Sequence, residues 1–361
     1  MNPVSWWRTE VGKPEISQMA TALQNEHLSQ GPIVAELESI LAELLDVPYV
    51  MMTPSGSAAL LMAMLAIDID QGDEIIVPAY TWIATAHSGH LLGAKVRLAD
   101  IERKRPIVSI EEIKKQITPK TKAVVPVHLN GRAADMLTLR GLADKYKFKI
   151  IEDACQSFLS KLNGQALGTF GDIGCFSLGV TKLITTGQGG FVATRDPIIY
   201  EKLRIIKSHG VRTDDKGLET YMFQGFNFKY TDFQAAMAIE QLKRLDFRIN
   251  RVKEIDKMYS QIFPDLNYLS HVEVNVKNGE IPLWVEIESA HREDLIAFLA
   301  KNQIQTNRVH LSLKNAPHLG KQQNCEQAQK FSAQGLILPC GPSQPTDNVN
   351  QVIDCLYKFK S

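Results

Sequence analysis

The sequence has no excess of charge of either sign, because 40 lysines and arginines are matched by 40 aspartates and glutamates. Neither half of the chain carries a basic stripe, which is the electrostatic surface typical of proteins that bind nucleic acids or anionic membranes. Long apolar runs are also missing: the longest, AALLMAMLAI at residues 58–67, is about half of the ~20 residues that a membrane span needs. We therefore expect no nucleic acid and no membrane as partner, but a small molecule or a second copy of the chain.

Cysteine is scarce, and no two cysteines form a CxxC pair or stand at metal-binding distance from a histidine; the five are Cys155, Cys175, Cys325, Cys340 and Cys355. This spacing argues against a disulfide framework and against a zinc site, so we predict buried thiols and no bound metal. The first residues contain no basic stretch followed by an apolar run. We therefore predict no signal peptide and a cytoplasmic location.

Short apolar runs alternate with amphipathic stretches between about residues 48 and 195. Runs that are apolar on both faces and separated by helices predict a parallel sheet covered on both sides. The chain of 361 residues is long enough for two domains, since single cores stop growing at roughly 250 to 300 residues. We predict an α/β fold with a mainly parallel central sheet in a large domain, residues 1–245 including an N-terminal arm, and a smaller α+β domain, residues 246–361.

A long stretch with helical periodicity, residues 231–263, is predicted to connect these domains, with Thr231 or Asp232 as its cap. The polar segment 211–221, which contains a glycine and has no periodicity, is predicted to be a mobile loop.

Ligands of such sheets bind beyond the carboxyl ends of the strands, and the first of three informative strand ends is TPSGSAALL. A strand ends at Thr53 and an apolar helix is predicted to begin near Ala58. The backbone N–H groups of Gly56 and Ser57 would then lie at a helix N-terminus, where they can hold a phosphate. The spacing matches neither the Walker nor the Rossmann pattern, and an ordinary serine N-cap is the plainer interpretation.

The second strand end is FKIIEDACQS, where Asp153 closes an almost wholly apolar strand. An unpaired carboxylate in such a position is costly, so it needs a cationic partner. A protonated heterocyclic nitrogen of a ligand would serve as this cation. The alternatives are a salt bridge within the protein and a role as the cap of the next helix. Gln156, about one helical turn further along, can reach the same ligand.

The third strand end is GVTKLITTGQGG, in which Lys182 is the only charged residue between Asp172 and Arg195. A desolvated lysine loses proton affinity, and its neutral amine can attack a carbonyl carbon and form an imine. A lysine that extends to water is the alternative. Ser177, at the end of the preceding strand, can offer a hydroxyl group to a phosphate.

One ligand, pyridoxal 5′-phosphate (PLP), would satisfy all three strand ends. Its aldehyde suits Lys182, its pyridine nitrogen suits Asp153, and its phosphate suits the backbone around Gly56. A planar ring also favours an aromatic face, and Trp82 follows a further predicted strand. The sequence therefore predicts a PLP site in which the lysine is a nucleophile.

With these residues in view, the sequence resembles the DegT/DnrJ/EryC1/StrS family of PLP-dependent sugar aminotransferases, which have fold type I, the fold of aspartate aminotransferase. The resemblance runs nearly end to end through LSQGPIVAELE, SGSAAL, VPAYTWIATAHSGHLLGAKVRLADI, IIEDACQS, FSLGVTKLITTGQGGFVAT and GFNFKYTDFQAAMAIEQLKRLD. It implies that Lys182 is the Schiff-base lysine and proton shuttle, and that Asp153 keeps the ring nitrogen protonated. The other implied cofactor contacts are Gln156 to the ring hydroxyl, Trp82 to the ring face, and Gly56, Ser57 and Ser177 to the phosphate. Asn227, in GFNFKY, would reach the phosphate of a neighbouring subunit, which implies a homodimer with active sites at the interface.

The activity implied by the resemblance is transfer of an amino group from glutamate to a keto sugar. The sugar would be a nucleotide-linked 3- or 4-keto hexose, or a free keto sugar such as an 8-oxo-octulosonate, used for cell-surface polysaccharide or lipopolysaccharide. One alternative is a PLP-dependent sugar dehydratase, although family dehydratases commonly have histidine in place of Lys182. Another is a non-catalytic phosphate- or nucleotide-binding protein.

The sequence departs from the family pattern at a few positions. Asn130 stands where relatives often carry an aromatic residue, Lys229 stands where arginine is usual, and LGVTK lacks the polar residue and proline that commonly precede Thr-Lys. We expect these positions near the sugar, so they concern the substrate and not the cofactor. His128, Arg308 and His310 are further candidates for substrate contact, with a strand-end or surface role as the alternative.

Overall fold

The computed structural model describes residues 3–360. Its largest sheet is built from β1 (Tyr49–Thr53), β2 (Glu74–Pro78), β3 (Lys95–Ala99), β4 (Thr121–Val124), β5 (Lys149–Asp153), β8 (Ile173–Ser177) and β9 (Gly190–Thr194), while β6 (Lys161–Leu162) and β7 (Gln165–Ala166) form a separate pair. The strand order is β1-β9-β8-β5-β4-β2-β3. Strands β8, β5, β4, β2 and β3 pair in parallel, and β9 runs antiparallel to both β1 and β8. The predicted α/β fold with a mainly parallel central sheet is confirmed.

Continuous apolar strands indicate burial on both faces, and β2 illustrates this. All five of its residues are buried, and successive side chains of a strand point to opposite faces of the sheet. Ile75 and Val77 accordingly pack in one hydrophobic core and Ile76 in another. Helices therefore cover both faces of the sheet.

The helices preceding residue 245 are α1 (Lys13–Gln24), α2 (Pro32–Leu45), α3 (Gly56–Ala66), α4 (Ala84–His90), α5 (Ile110–Gln116), α6 (Met136–Tyr146), α7 (Pro197–Lys207) and α8 (Asp232–Leu242). Helix α3 is apolar around its whole circumference and packs against β8, β9 and α7. Such a helix is stable only when it is buried on every side. Its N-terminus is thereby fixed at the carboxyl end of the sheet.

A second sheet lies wholly after residue 245. It contains β12 (Ser270–His271), β13 (Val285–Glu288), β14 (Asn307–Arg308) and β15 (Gly335–Leu338) in the antiparallel order β12-β13-β15-β14. The helices of this part are α9 (Leu245–Ser260), α10 (Arg292–Lys301), α11 (Glu326–Gln334) and α12 (Thr346–Lys358). This separation of the two sheets supports, as a proposal, the division into residues 1–245 and 246–361.

The helical stretch predicted over residues 231–263 is interrupted after residue 242, so it forms α8 and α9 instead of one helix. Thr231 occupies the N-cap position of α8 but makes no side-chain cap bond. Asp232 instead accepts hydrogen bonds from the backbone N–H groups of Gly31 and Val34, both at 2.9 Å. It therefore caps α2, which sequence spacing could not indicate because the two segments are about 200 residues apart.

The predicted loop 211–221 contains a short hairpin of β10 (Val211–Thr213) and β11 (Glu219–Tyr221). The five cysteines are free thiols. Across residues 3–360, no helix combines the length and apolar character needed to cross a bilayer. Over the same range, no three histidine, cysteine or acidic side chains are grouped so as to hold a metal ion.

Candidate active site

The carboxyl ends of the central strands open into a cavity of about 350 Å³. Seven of the eight residues predicted to bind the cofactor line it: Gly56, Ser57, Trp82, Asp153, Gln156, Ser177 and Lys182. The eighth, Asn227, does not line this cavity; it lies at the surface, where its side-chain oxygen accepts a hydrogen bond from the Lys229 backbone N–H at 3.2 Å.

One end of the cavity is formed by the N-terminus of α3. Ser55 is the N-cap and accepts a hydrogen bond from the Ala58 N–H at 3.1 Å, so the helix starts at Gly56, two residues before the predicted start. A Cβ atom on Gly56 would lie 2.7 Å from Cys155 Sγ and 2.9 Å from Ser177 Cβ. Only glycine lets the helix end approach β8 this closely. The first N–H groups of a helix have no intrahelical partner and favour an anion, so this end of the cavity suits a phosphate.

Asp153 forms the floor of the cavity at the end of β5, and only 4% of its surface is exposed. Its Oδ2 accepts a hydrogen bond from Thr85 Oγ1 at 2.7 Å, and its Oδ1 accepts one from the Cys155 N–H at 3.1 Å. Within residues 3–360 it forms no ion pair, so the salt bridge considered from the sequence is not what holds it. A buried carboxylate without a cation in its own chain fits a protonated pyridine nitrogen.

Lys182 extends into the same cavity from the loop after β8. No hydrogen bond or ion pair of its Nζ is found within the described part of the chain, and Nζ lies 5.4 Å from the centroid of the Trp284 ring. Burial lowers the pKa of the Lys182 amine below its usual value, and nearby Cys155 and Asp153 offset part of this shift. A lysine that loses its proton more readily is a better nucleophile and proton acceptor.

The loop that carries Lys182 is tied to the N-terminal arm. Trp7 Nε1 and Thr9 Oγ1 both donate hydrogen bonds to the Val180 carbonyl oxygen, at 3.0 and 2.7 Å. The arm itself pairs with the C-terminal part of the chain through a backbone bridge between Trp7 and Cys340. The position of the lysine loop therefore depends on segments from both ends of the sequence.

Gln156 and His310 face each other across the cavity wall, with Gln156 Nε2 and His310 Nε2 3.3 Å apart. The other end of the Gln156 amide, Oε1, accepts a hydrogen bond from the Asn130 N–H at 3.0 Å. Burial and, secondarily, the charge of Lys182 lower the pKa of His310 to about 4. His310 is therefore neutral at physiological pH and can accept a hydrogen bond at Nε2.

The structure brings only one of the three predicted substrate residues, His310, to the cavity. His128 is fully buried, with its Nε2 2.8 Å from Glu152 Oε2 and its Nδ1 accepting the Ala134 N–H. Arg308 lies at the surface and pairs with Glu293. Both ring nitrogens of His128 and the guanidinium of Arg308 are thus engaged elsewhere, which argues against direct contact with a ligand in this cavity.

Several cavity residues have no counterpart in the sequence reasoning: Trp6, Thr81, Gln188, Trp284 and Asn307 line the cavity, and Thr85 supports Asp153. Thr85 stands one helical turn after Trp82, a spacing that could have drawn attention to it. Trp6 lies near the N-terminus and Trp284 lies in the C-terminal part of the chain, before β13. No local pattern connects them with the strand ends around Lys182.

A family model described as the DegT/DnrJ/EryC1/StrS aminotransferase family matches residues 9–357. The GDP-perosamine synthase of Vibrio cholerae is 32% identical to this chain, and the match covers 92% of both proteins. GDP-perosamine synthase of Escherichia coli O157:H7 is also 32% identical, again over 92% of both.

Solved structures show the same similarity along the whole chain. The structure of DesV from S. venezuelae superposes with a TM-score of 0.93 at 26% identity, covering 99% of this chain and 98% of that one. GDP-4-keto-6-deoxymannose-3-dehydratase (ColD) has a TM-score of 0.89 at 25% identity, covering 98% and 100%. The family model is that of aminotransferases, while one of these solved structures is a dehydratase, so the fold alone does not separate the two activities.

Proposed function

Since the chain belongs to the DegT/DnrJ/EryC1/StrS aminotransferase family, we propose that it transfers the amino group of glutamate to the keto carbon of a nucleotide-linked 3- or 4-keto hexose. The chain is a PLP-dependent transaminase. The observation that carries the proposal is that one cavity holds a buried carboxylate, Asp153, and a partly buried amine, Lys182, neither of which forms an ion pair within residues 3–360.

Different residues of the cavity would bind different parts of the cofactor. The N–H groups at the start of α3, together with the hydroxyls of Ser57 and Ser177, bind the phosphate. The Asp153 carboxylate keeps a proton on the ring nitrogen. Trp82, whose surface is 58% exposed, offers an aromatic face for the ring, and Gln156 donates to the ring hydroxyl.

PLP, when bound, supplies an aldehyde that carries the amino group and a ring that withdraws electrons from the reacting carbon. Lys182 holds the cofactor through Nζ. As a free amine, Nζ would accept a proton from the carbon of the amino donor that bears the nitrogen, and would hold it for return. Burial lowers the pKa of this amine, which makes its free base more available as a proton acceptor than that of an exposed lysine.

We also propose that the protein assembles into a homodimer in the cytoplasm. Apolar side chains of and near the β10–β11 hairpin face outward, and Leu218, Tyr221 and Phe226 are 67%, 85% and 69% exposed. A cluster of large exposed apolar side chains is typical of an interface. Asn227 stands beside this cluster at the surface, which supports its proposed reach to the phosphate in the partner's site.

The identity of the sugar is supported by the relatives. Two of them are named GDP-perosamine synthase, which favours a GDP-linked sugar over UDP- or dTDP-linked sugars and over a free keto sugar such as an 8-oxo-octulosonate. Dehydration is the alternative activity. It is disfavoured because Lys182 stands where the family's dehydratases commonly have histidine.

The test begins with the purified protein and PLP. Borohydride reduction should attach the cofactor covalently, and mass spectrometry should locate the adduct on Lys182. In a separate sample that has not been reduced, glutamate should convert the bound cofactor to its amino form. GDP-, UDP- and dTDP-linked keto hexoses and free keto sugars are screened for return of the absorbance of the aldehyde form.

Two outcomes of this test would contradict the proposal. Lys182→Ala should bind PLP without covalent attachment and should transfer no amino group, so appreciable transamination by this variant would remove Lys182 from its role. A sugar product that has lost a hydroxyl group without gaining nitrogen would identify a dehydratase.

A further inference from the structure

Trp284, which immediately precedes β13, lines the cavity although it belongs to the C-terminal part of the chain. Only 5% of its surface is exposed. Its indole Nε1 is buried and finds no hydrogen-bond partner within residues 3–360. An unpaired buried donor costs free energy, and a phenylalanine would fill the same place without that cost. The indole therefore has another use, which its contact with Lys182 suggests.

The contact joins the aromatic face to the amine, with Lys182 Nζ 5.4 Å from the ring centroid. Among aromatic side chains, tryptophan offers the strongest attraction for a cation over its ring. The charged and titratable groups that also act on this amine are Asp153, Cys155 and His310. None of these three bonds directly to Nζ within the described residues, so the Trp284 ring is available to orient the amine.

Asn130 holds Trp284 in position. Its Oδ1 accepts a hydrogen bond from the Trp284 N–H at 2.7 Å, and its Nδ2 donates to the Trp284 carbonyl oxygen and to Glu286 Oε2, both at 2.9 Å. Asn130 has φ +53° and ψ +41°, in the left-handed region that asparagine adopts more readily than aromatic residues do. It is fully buried and does not line the cavity. Its amide is engaged with the Trp284 backbone and with Glu286, which argues against a direct contact with a sugar in this cavity; the expectation that it lies near the sugar stays a prediction.

We propose that Trp284 and Asn130 are positioning residues for Lys182: the indole face holds the amine, and the Asn130 amide holds the indole. The proposal rests on Lys182 being the reactive lysine of the proposed function. Through its backbone N–H, Asn130 also fixes Gln156, so one residue positions two parts of the cofactor site.

A cation over an aromatic ring is stabilised, so the Trp284 ring favours the protonated amine and opposes the effect of burial. Replacing the ring by an aliphatic side chain brings no polar group to the amine but removes the attraction of the ring quadrupole. Trp284→Leu should therefore lower the pKa of Lys182 by roughly half a unit to one and a half units. Trp284→Phe, which retains a ring, should lower it less.

The pKa is measured on the full-length protein freed of PLP. Competitive labelling with acetic anhydride over a pH series, read by mass spectrometry of the peptide that contains Lys182, reports the amine directly. Trp6→Leu is the matched control, since Trp6 lines the same cavity but its ring does not contact Lys182 Nζ within the described residues; the pKa of Lys182 in this variant should equal that of the wild type. Because the measurement needs no transamination, it can be read even if the proposed function fails.

Asn130→Gly is the variant that tests the second half of the proposal, because glycine adopts the left-handed conformation without strain. It should shift the pKa in the same direction as Trp284→Leu, and combining the two should add little, as expected for residues that act through one another. A pKa that is unchanged or raised in Trp284→Leu would overturn the role of the ring. Full additivity of the two variants, or no shift in folded Asn130→Gly, would overturn the role of Asn130. Thermal melting of each variant verifies that it is folded.

Discussion

Substitution of Gly56 by alanine tests the geometry of the phosphate end of the site. The added Cβ would lie 2.7 Å from Cys155 Sγ and 2.9 Å from Ser177 Cβ, and 3.4 Å from the Phe176 carbonyl oxygen. The thiol can rotate, but Ser177 Cβ is fixed to the end of β8. Either the N-terminus of α3 or the end of β8 must therefore move.

Overpacking of this kind costs about 1 to 3 kcal/mol. If the helix end moves outward to relieve the clash, its N–H groups leave the position in which they bind the phosphate. Because 1.4 kcal/mol corresponds to a tenfold change in affinity, PLP should bind roughly 5 to 150 times more weakly to Gly56→Ala. Gly141, within α6, provides the matched control, since a Cβ added there would meet no atom of the rest of the protein within 4 Å. Gly141→Ala should be neutral or stabilising by up to about 1 kcal/mol and should leave PLP binding unchanged.

Two measurements decide the question. Guanidinium denaturation of the PLP-free proteins compares their unfolding midpoints, and titration with PLP, followed by absorbance, compares their affinities. A Gly56→Ala protein with the midpoint and the PLP affinity of the wild type would show that Cys155 and Ser177 relocate without cost. The close approach of α3 to β8 would then not be what builds the phosphate site.

Two further predictions concern the groups around the ring and the substrate. Thr85→Val removes a charge-assisted hydrogen bond to buried Asp153, which contributes about 1.5 to 3 kcal/mol. The melting temperature of the variant should fall below that of the wild type, and the difference should be smaller when PLP is bound. An equal difference with and without PLP would contradict a pairing of Asp153 with PLP. The pKa of His310 is about 4 in the folded state and 6.5 ordinarily, so the folded state binds fewer protons than the unfolded state below about pH 6.5. The wild type should therefore lose about 2 kcal/mol of its free energy of unfolding through this residue when the pH falls from 8 to 5. His310→Gln should not show this part of the pH-dependent loss of stability. Parallel curves of unfolding free energy against pH, measured by denaturation of the two proteins, would contradict the prediction.

Part of the site could be predicted because of a general property of parallel sheets, whose strand ends converge on one edge. Gly56, Asp153 and Lys182 are far apart in sequence, but each follows an apolar run that is typical of a buried strand. Their meeting in one cavity is a direct consequence of the sheet. The lone charge of Lys182 in an apolar segment was a local signal, and the desolvation inferred from it agrees with the lowered pKa.

Other interactions could not be predicted, because they join segments that no periodicity relates. Asp232 was expected to cap its own helix, yet its carboxylate caps α2. His128 and Arg308 looked available for a ligand, but the structure pairs them with Glu152 and Glu293. An ionisable side chain binds whichever partner the fold brings near, and the sequence does not state that partner.

The amino-acid sequence by itself determined the α/β architecture and the residue types at the strand ends, because hydrophobic periodicity and turn chemistry are local properties of the chain. The family was indicated by the resemblance of ordered motifs along the chain. Only the tertiary structure decided how the Lys182 amine is surrounded. Trp284 reaches Lys182, and Asn130 reaches Trp284 across 154 positions of sequence. Such contacts are set by the packing of the C-terminal part against the central sheet, since side-chain packing depends on the whole fold.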